Sequence, residues 1–310
     1  MKKISLGPTR ETVSALCLGT MYFGTATDGP LSYRLLDQYA EAGGSFLDTA
    51  NVYARWVDGC VGGESETLLG RWMQERHNRS SMFIATKVGF EMPGVPRGLT
   101  PELIERECDK SLRRLGVETI DLYYAHVDDR TTSLEETMTA FARLVKKGKV
   151  RYLGASNYLA WRLEETRETC RAFSLPEFVA IQQRHSYLSP DPRRWTGPQV
   201  PSNNDLLDYC RNRKLTLLAY SPLLGGAYTR SDRTLPEAYV NETNHARLEI
   251  LRSLAREKGA TANQLVLAWM LASNPMALPL VAASSGAQLA ENLGALAIPL
   301  TADDLGRLNA

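Results

Sequence analysis

Short apolar runs alternate with amphipathic stretches eight times between Ala15 and Leu296. The runs are leucine-rich or β-branched with little polar alternation, as strands buried on both faces are. Parallel strands need a crossover between them, and a helix is the usual one. The pattern predicts strands over residues 15–20, 46–50, 82–88, 120–127, 150–156, 178–185, 215–221 and 278–283. Helices are expected over 31–42, 64–76, 101–115, 134–147, 159–173, 205–213, 244–258, 263–273 and 287–296, with a short one from Ala302. Local signals mark their ends: Thr100 and Pro101 open one helix, Gly116 closes it, and Gly43-Gly44 stops another. Eight such units suit a (β/α)8 TIM barrel, a fold of about 250 residues plus insertions. Residues 3–6 and 13–16, on either side of Gly7-Pro8-Thr9-Arg10, read as a short N-terminal β-hairpin.

A doubly wound sheet is the alternative. Its first strand–turn–helix would carry GxGxxG, whereas this chain reads Gly19-Thr20-Met21-Tyr22-Phe23-Gly24. No shift of composition divides the chain, so one domain over residues 1–310 is expected. The net charge of +1, with mixed signs, excludes a nucleic-acid footprint or basic membrane patch. Five scattered cysteines without a CxxC pair, and four dispersed histidines, point to reduced thiols in a cytoplasm and to no bound metal. No apolar run reaches membrane-spanning length.

In a barrel, chemistry gathers where strands end. Those ends carry Thr20, Asp48, Lys87, His126, Ser156-Asn157, Gln182 and Tyr220-Ser221, and Tyr53 follows Asp48 by five residues. A buried lysine needs a carboxylate, and Asp48 lies one strand away from Lys87. A lysinium beside Tyr53 would lower the phenol from its usual value near 10 and make it a general acid. His126 could donate to a carbonyl oxygen and orient it. Each residue alone has an ordinary structural explanation. Four of them on three adjacent strands and one loop describe a site that polarises and protonates a carbonyl.

The segments Phe46-Leu47-Asp48-Thr49-Ala50-Asn51-Val52-Tyr53, Ala85-Thr86-Lys87-Val88-Gly89 and Ser111-Leu112-Arg113-Arg114-Leu115-Gly116 resemble the aldo-keto reductase family. So do Asp121-Leu122-Tyr123-Tyr124-Ala125-His126, Gly148–Asn157, Tyr220-Ser221-Pro222-Leu223 and Glu291-Asn292-Leu293, in the same order along nearly the whole chain. The resemblance implies a (β/α)8 barrel that binds a nicotinamide cofactor without a Rossmann fold. It implies a catalytic tetrad of Asp48, Tyr53, Lys87 and His126, with Tyr53 as proton donor. Ser156, Asn157 and Gln182 would hold the carboxamide, and Tyr220 would stack on the nicotinamide. Gln183 is the alternative to Gln182, since only one of two neighbours on a strand faces the barrel mouth. Gly19, Thr20 and Met21 join the implied cofactor wall, together with Ser221, Pro222, Leu223 and Gly225 around the pyrophosphate. Ser284, Gln288, Glu291 and Asn292 would receive the adenosine end at a helix N-terminus.

The chain departs from the family where the cofactor's 2′-phosphate would sit. The segment from Ala282 to Asn292 contains no Lys or Arg, although NADP-preferring members commonly carry one there. NADP(H) is therefore favoured on family habit alone, with NAD(H) open, and Arg230 or Arg233 could restore the charge. Tyr22, Trp56 and His126, with Arg55 and Tyr187, are the candidate substrate contacts. The substrate is expected to be a small carbonyl compound, or a polyol or sugar that stacks on Trp56; the oligomeric state is open. A nicotinamide-binding regulatory subunit and a lyase using Lys87 as a Schiff base are the competing functions. Asp48 weighs against the second by holding the lysine protonated.

Overall fold

The computed structural model describes residues 1–194 and 197–310. An antiparallel hairpin, β1 (Lys3–Ser5) and β2 (Thr12–Ser14), comes first, with Ile4 opposite Val13. Eight parallel strands then close into a barrel in chain order: β3 (Cys17–Gly19), β4 (Phe46–Asp48), β5 (Phe83–Val88), β6 (Ile120–Ala125), β7 (Val150–Ser156), β8 (Phe178–Arg184), β9 (Thr216–Tyr220) and β10 (Ala277–Val281). β10 pairs back onto β3 and completes the ring. Helices α1 (Gly29–Glu41), α2 (Glu64–Arg76), α3 (Pro101–Leu115), α4 (Leu134–Lys146), α5 (Ala160–Ala172) and α6 (Asn204–Arg213) follow successive strands. α7 (Glu242–Glu257) and α8 (Ala262–Ala272) both follow β9, α9 (Gly286–Gly294) follows β10, and α10 (Ala302–Asn309) ends the chain.

The barrel interior is a side-chain core. Phe46, Phe83, Leu122, Tyr124, Leu218 and Leu278 fill it, and Ile4, Leu6 and Val13 of the hairpin close its lower end. Gly154 is required here, because a Cβ would lie 2.5 Å from the Tyr124 ring. Outward-facing strand residues meet the helices in a second layer that includes Tyr39, Trp72, Tyr123 and Phe141, all fully buried. Each such side chain contributes roughly 2 kcal/mol or more by leaving water. The expected caps form: Thr100 accepts from Leu103 N, Gly116 turns left-handed at φ 63°, and Ser133 with Glu136 makes a capping box on α4.

Element order agrees with the sequence expectation, and bounds differ by at most two residues. The differences have one direction at the mouth. β3 stops at Gly19, β6 at Ala125 and β9 at Tyr220, so Thr20, His126 and Ser221 are the first residues beyond their strands. There the ladders end and side chains are free to converge. α7 starts at Glu242, earlier than expected, because Asn241 caps it by accepting from Asn244 N at 2.8 Å. Among the described residues no helix is long and apolar enough to cross a membrane, and no His/Cys/Asp/Glu cluster is arranged for a metal.

Candidate active site

Lys87 enters the mouth from the end of β5, fully buried, and its three N–H donors are all engaged. It donates to Asp48 Oδ1, to Thr49 O at 2.7 Å and to Tyr53 Oη at 2.8 Å. Asp48 is equally buried, and its other oxygen accepts from Gln182 Nε2 at 2.7 Å. Burial pushes the Asp48 carboxyl up and the Lys87 ammonium down, and each ion holds the other back. The pair is thus a compensated charge in a dry place.

That compensation corrects the expectation for Tyr53. The lysine does not lower the phenol: burial first, and then the nearby Asp48 charge, push Tyr53 well above its usual value. The phenol is protonated at neutral pH. Lys87 donates to its oxygen, so the Tyr53 hydroxyl proton is not spent on that bond, and the Asp48 carboxylate lies within its hydrogen-bonding reach. The His126 ring stands 6.0 Å from the Tyr53 ring, nearly perpendicular. Burial, and then Lys87, hold its imidazole well below the usual range, so it is neutral. Its Nδ1 is buried and has no hydrogen-bond partner among the described residues.

Aromatic rings frame this centre. Trp56, 48% exposed, packs edge-on against Tyr53 at 6.4 Å and against Tyr22 at 6.2 Å. Phe90 lies 4.7 Å from His126 on the other side. The sequence reading missed Phe90, although an aromatic two residues beyond the strand that carries Lys87 was a usable signal. Arg55 is bound to Glu91 at 2.9 Å, tying the Tyr53 loop to the loop after β5. Tyr187 is not at the mouth: it is buried against Trp269, with the Arg247 guanidinium 4.3 Å from its ring centre. A residue three past the end of β8 has turned under the helices.

Ser156, Asn157, Gln182 and Tyr220, expected to hold a cofactor, lie on or just past β7, β8 and β9. Gln182 faces inward, as its bond to Asp48 requires. Gln183 faces the other way, accepting from Asn157 N at 2.9 Å and donating to Tyr158 O at 3.2 Å. Asn157 has φ 60°, a costly value for a residue with a side chain, and its amide binds four elements together. Its Nδ2 donates to His126 O and Ser156 Oγ, and its Oδ1 accepts from Tyr220 Oη at 2.8 Å and Val200 N at 3.2 Å. Beyond half-buried Tyr220, Ser221 (φ 54°), Leu224 (φ 49°) and Gly225 (φ 70°) are all left-handed, so the chain after Pro222 and Leu223 coils tightly at the rim.

At the first strand, Gly19 pairs with Asp48, and Thr20 is buried, with both its N–H and its hydroxyl on Asp48 O at 3.0 Å. Its side chain supports Asp48 and is not offered to a ligand, while half-buried Met21 leads out to the rim. Ser285 caps α9, and Ser284 donates through N–H and Oγ to Gln288 Oε1. Asn292 donates to Ala282 O, and Glu291 accepts from Thr261 and Asn263. Arg230 is bound on both sides to Asp232, so it is not a free cation for this end.

Behind the site lies a buried polar layer that the sequence reading did not single out. Thr86, next to Lys87, donates to Glu66 Oε1 at 2.6 Å, and Arg114 covers the other Glu66 oxygen. Asn51, at the root of the Tyr53 loop, donates to Glu107 Oε2 at 3.3 Å. Helices α2 and α3 thereby anchor the residue before Lys87 and the loop that follows Asp48.

Residues 15–310 match the model of the Aldo/keto reductase family. Among curated proteins, the chain is 32% identical over 323 residues to the uncharacterized oxidoreductase YrpG of Bacillus subtilis, covering 100% of this chain and 95% of that one. It is 33% identical to the aldo-keto reductase str7 of Strobilurus tenacellus, covering 96% and 90% respectively. It is 32% identical to the NADP(+) aldo-keto reductase yakc of Schizosaccharomyces pombe, covering 95% and 88%.

Proposed function

The chain belongs to the aldo/keto reductase family of oxidoreductases, and from that premise we propose that it reduces an aromatic carbonyl compound with a nicotinamide cofactor. The observation that carries the reading is the Lys87 ammonium shared between Asp48 and Tyr53 under a neutral His126.

The residues present fit such a cofactor. Inward-facing Gln182, the strained Asn157 and the Tyr220 ring form a wall beside Tyr53, and the left-handed turn after Ser221 exposes Gly225 at the rim. A bound nicotinamide would supply the hydride to the carbonyl carbon. Tyr53 gives its proton to the carbonyl oxygen as negative charge builds there. The Lys87 N–H already on the phenol oxygen stabilises the phenolate that remains, and Asp48 keeps that lysine charged. Neutral His126, with its proton on Nε2, donates to the same carbonyl oxygen and fixes its approach. Water then returns a proton to Tyr53.

For substrate, the rings of Tyr22, Trp56 and Phe90 favour a flat aromatic carbonyl over a sugar, since Arg55 beside Trp56 is engaged by Glu91. The name of the yeast relative supports NADP(H) over NAD(H). The test is the rate of NADPH and NADH oxidation with an activated benzaldehyde, for wild type and Tyr53→Phe. A rate that falls at least about a hundredfold in the variant supports Tyr53 as acid. No turnover despite tight NADPH binding would instead indicate a regulatory subunit.

A further inference from the structure

A cavity of about 500 Å³ opens beside the catalytic centre, where the loops after β5, β6 and β7 meet. Arg97, Val127, Asp129, Asn157, Leu159 and Val200 are among the residues that line it. It adjoins the site through shared residues: Val127 follows His126, and Asn157 holds the His126 carbonyl. Phe90 bridges the two, with its ring 4.7 Å from His126 and 5.7 Å from the Arg97 guanidinium carbon.

The charges around this cavity are not alike in availability. Asp129 accepts from Leu99 N, Thr131 N, and the hydroxyls of Thr131 and Thr132, and is held as an ion down to about pH 2 by burial-resisting hydrogen bonds. Asp128 is paired with Arg130 at 3.1 Å and Arg162 at 3.0 Å. Glu91 is taken by Arg55. Arg97 alone rests on an aromatic face with no carboxylate partner among the described residues. A guanidinium held by a cation–π contact keeps its N–H fork unspent for a planar anion. Asp129 fixes the backbone around it, since Leu99 N and the Gly98 position both abut its Oδ2.

We infer that Arg97 is the anion-binding end of the substrate site, so that the preferred substrates are aromatic carbonyl compounds bearing a carboxylate on the side away from the carbonyl. The inference rests on the reductase reading above for its catalytic arm only. The carbonyl sits between Tyr53 and His126, the ring packs against Phe90, and the carboxylate reaches into the cavity toward Arg97. Binding there exchanges a solvated guanidinium for a two-pronged ion pair in a half-enclosed pocket.

The experiment compares 4-carboxybenzaldehyde with its methyl ester, and the longer pair 3-(4-formylphenyl)propanoate and its methyl ester, for wild type and Arg97→Gln. The ester is the neutral control of the same shape. In wild type the acid is expected to have the larger kcat/KM in at least one pair, and Arg97→Gln to lower that advantage about tenfold while changing the ester by less than about twofold. Raising salt should erode the advantage in wild type only. Terephthalate binding, followed by tryptophan fluorescence without cofactor, gives a readout independent of turnover and should weaken about tenfold in Arg97→Gln. Equal terephthalate binding by both proteins, or an acid-to-ester ratio untouched by the substitution, overturns the anion site. Absence of turnover with every aldehyde, alongside Arg97-dependent terephthalate binding, would sink the reductase reading and leave the anion site standing.

Discussion

Gln182 Nε2 donates to Asp48 Oδ2 at 2.7 Å across the barrel, from β8 to the strand diametrically opposite. Together with Lys87 on Oδ1, this accounts for both oxygens of a carboxylate that has no exposed surface. Gln182 is therefore part of what keeps Asp48 ionised, and through it Lys87 charged. Gln182→Leu should lower kcat by about tenfold or more and cost roughly 1–3 kcal/mol of stability, because it strands a buried charged oxygen. If Gln182 serves only the cofactor, KM for NADPH will rise while kcat and stability hold. Steady-state kinetics with denaturant titration separates the two.

The acid and the histidine predict an unusual pH profile for reduction. Tyr53 is displaced upward and His126 downward, so both stay in their working forms across neutrality. On the proposed mechanism, reduction needs the protonated phenol and loses rate only as pH rises past a point above the usual phenol value near 10. We expect kcat/KM for reduction to vary less than about threefold between pH 6.5 and 9. A fall centred near pH 7 would contradict these displacements.

Cofactor discrimination should be weak. No cation lies between Ala282 and Asn292, and Arg230 is neutralised by Asp232. Fluorescence titration should show NADPH favoured over NADH by less than about tenfold, with Arg230→Ala changing neither affinity more than about twofold. Gln288→Arg, in the first turn of α9, should raise the preference for NADPH about tenfold.

His185 should make the fold acid-sensitive. Burial holds its imidazole down to about 4, with its ring stacked on Trp269 at 5.9 Å and Nδ1 beside Ser202 Oγ at 2.6 Å. The unfolded chain binds the proton from about pH 6.5 downward, whereas the folded chain resists until about 4. Stability from this group is complete above pH 6.5 and is lost as pH falls toward 4. The ring is half-buried, so the loss is roughly 1–2 kcal/mol. His185→Phe keeps the stacking and should shrink the pH dependence of the unfolding midpoint over that range.

The sequence alone determined the barrel and the four residues at its centre. Strand and helix periods are local, and an aspartate or lysine that ends an apolar run is visible wherever it falls. Because barrel strands neighbour each other in chain order, adjacency of Asp48 and Lys87 followed from counting. Tertiary structure decided what depends on direction and on competing partners. Which of Gln182 and Gln183 faces inward depends on the pleat phase relative to strands on either side, which pairing sets. Tyr187 left the mouth and Phe90 entered it because loop paths follow packing rather than period. The Tyr53 phenol rose instead of falling because burial, and then the Asp48 charge, act on it more strongly than the lysine beside it. A residue type announces what it can donate, but only the folded surroundings determine what is left for it to give.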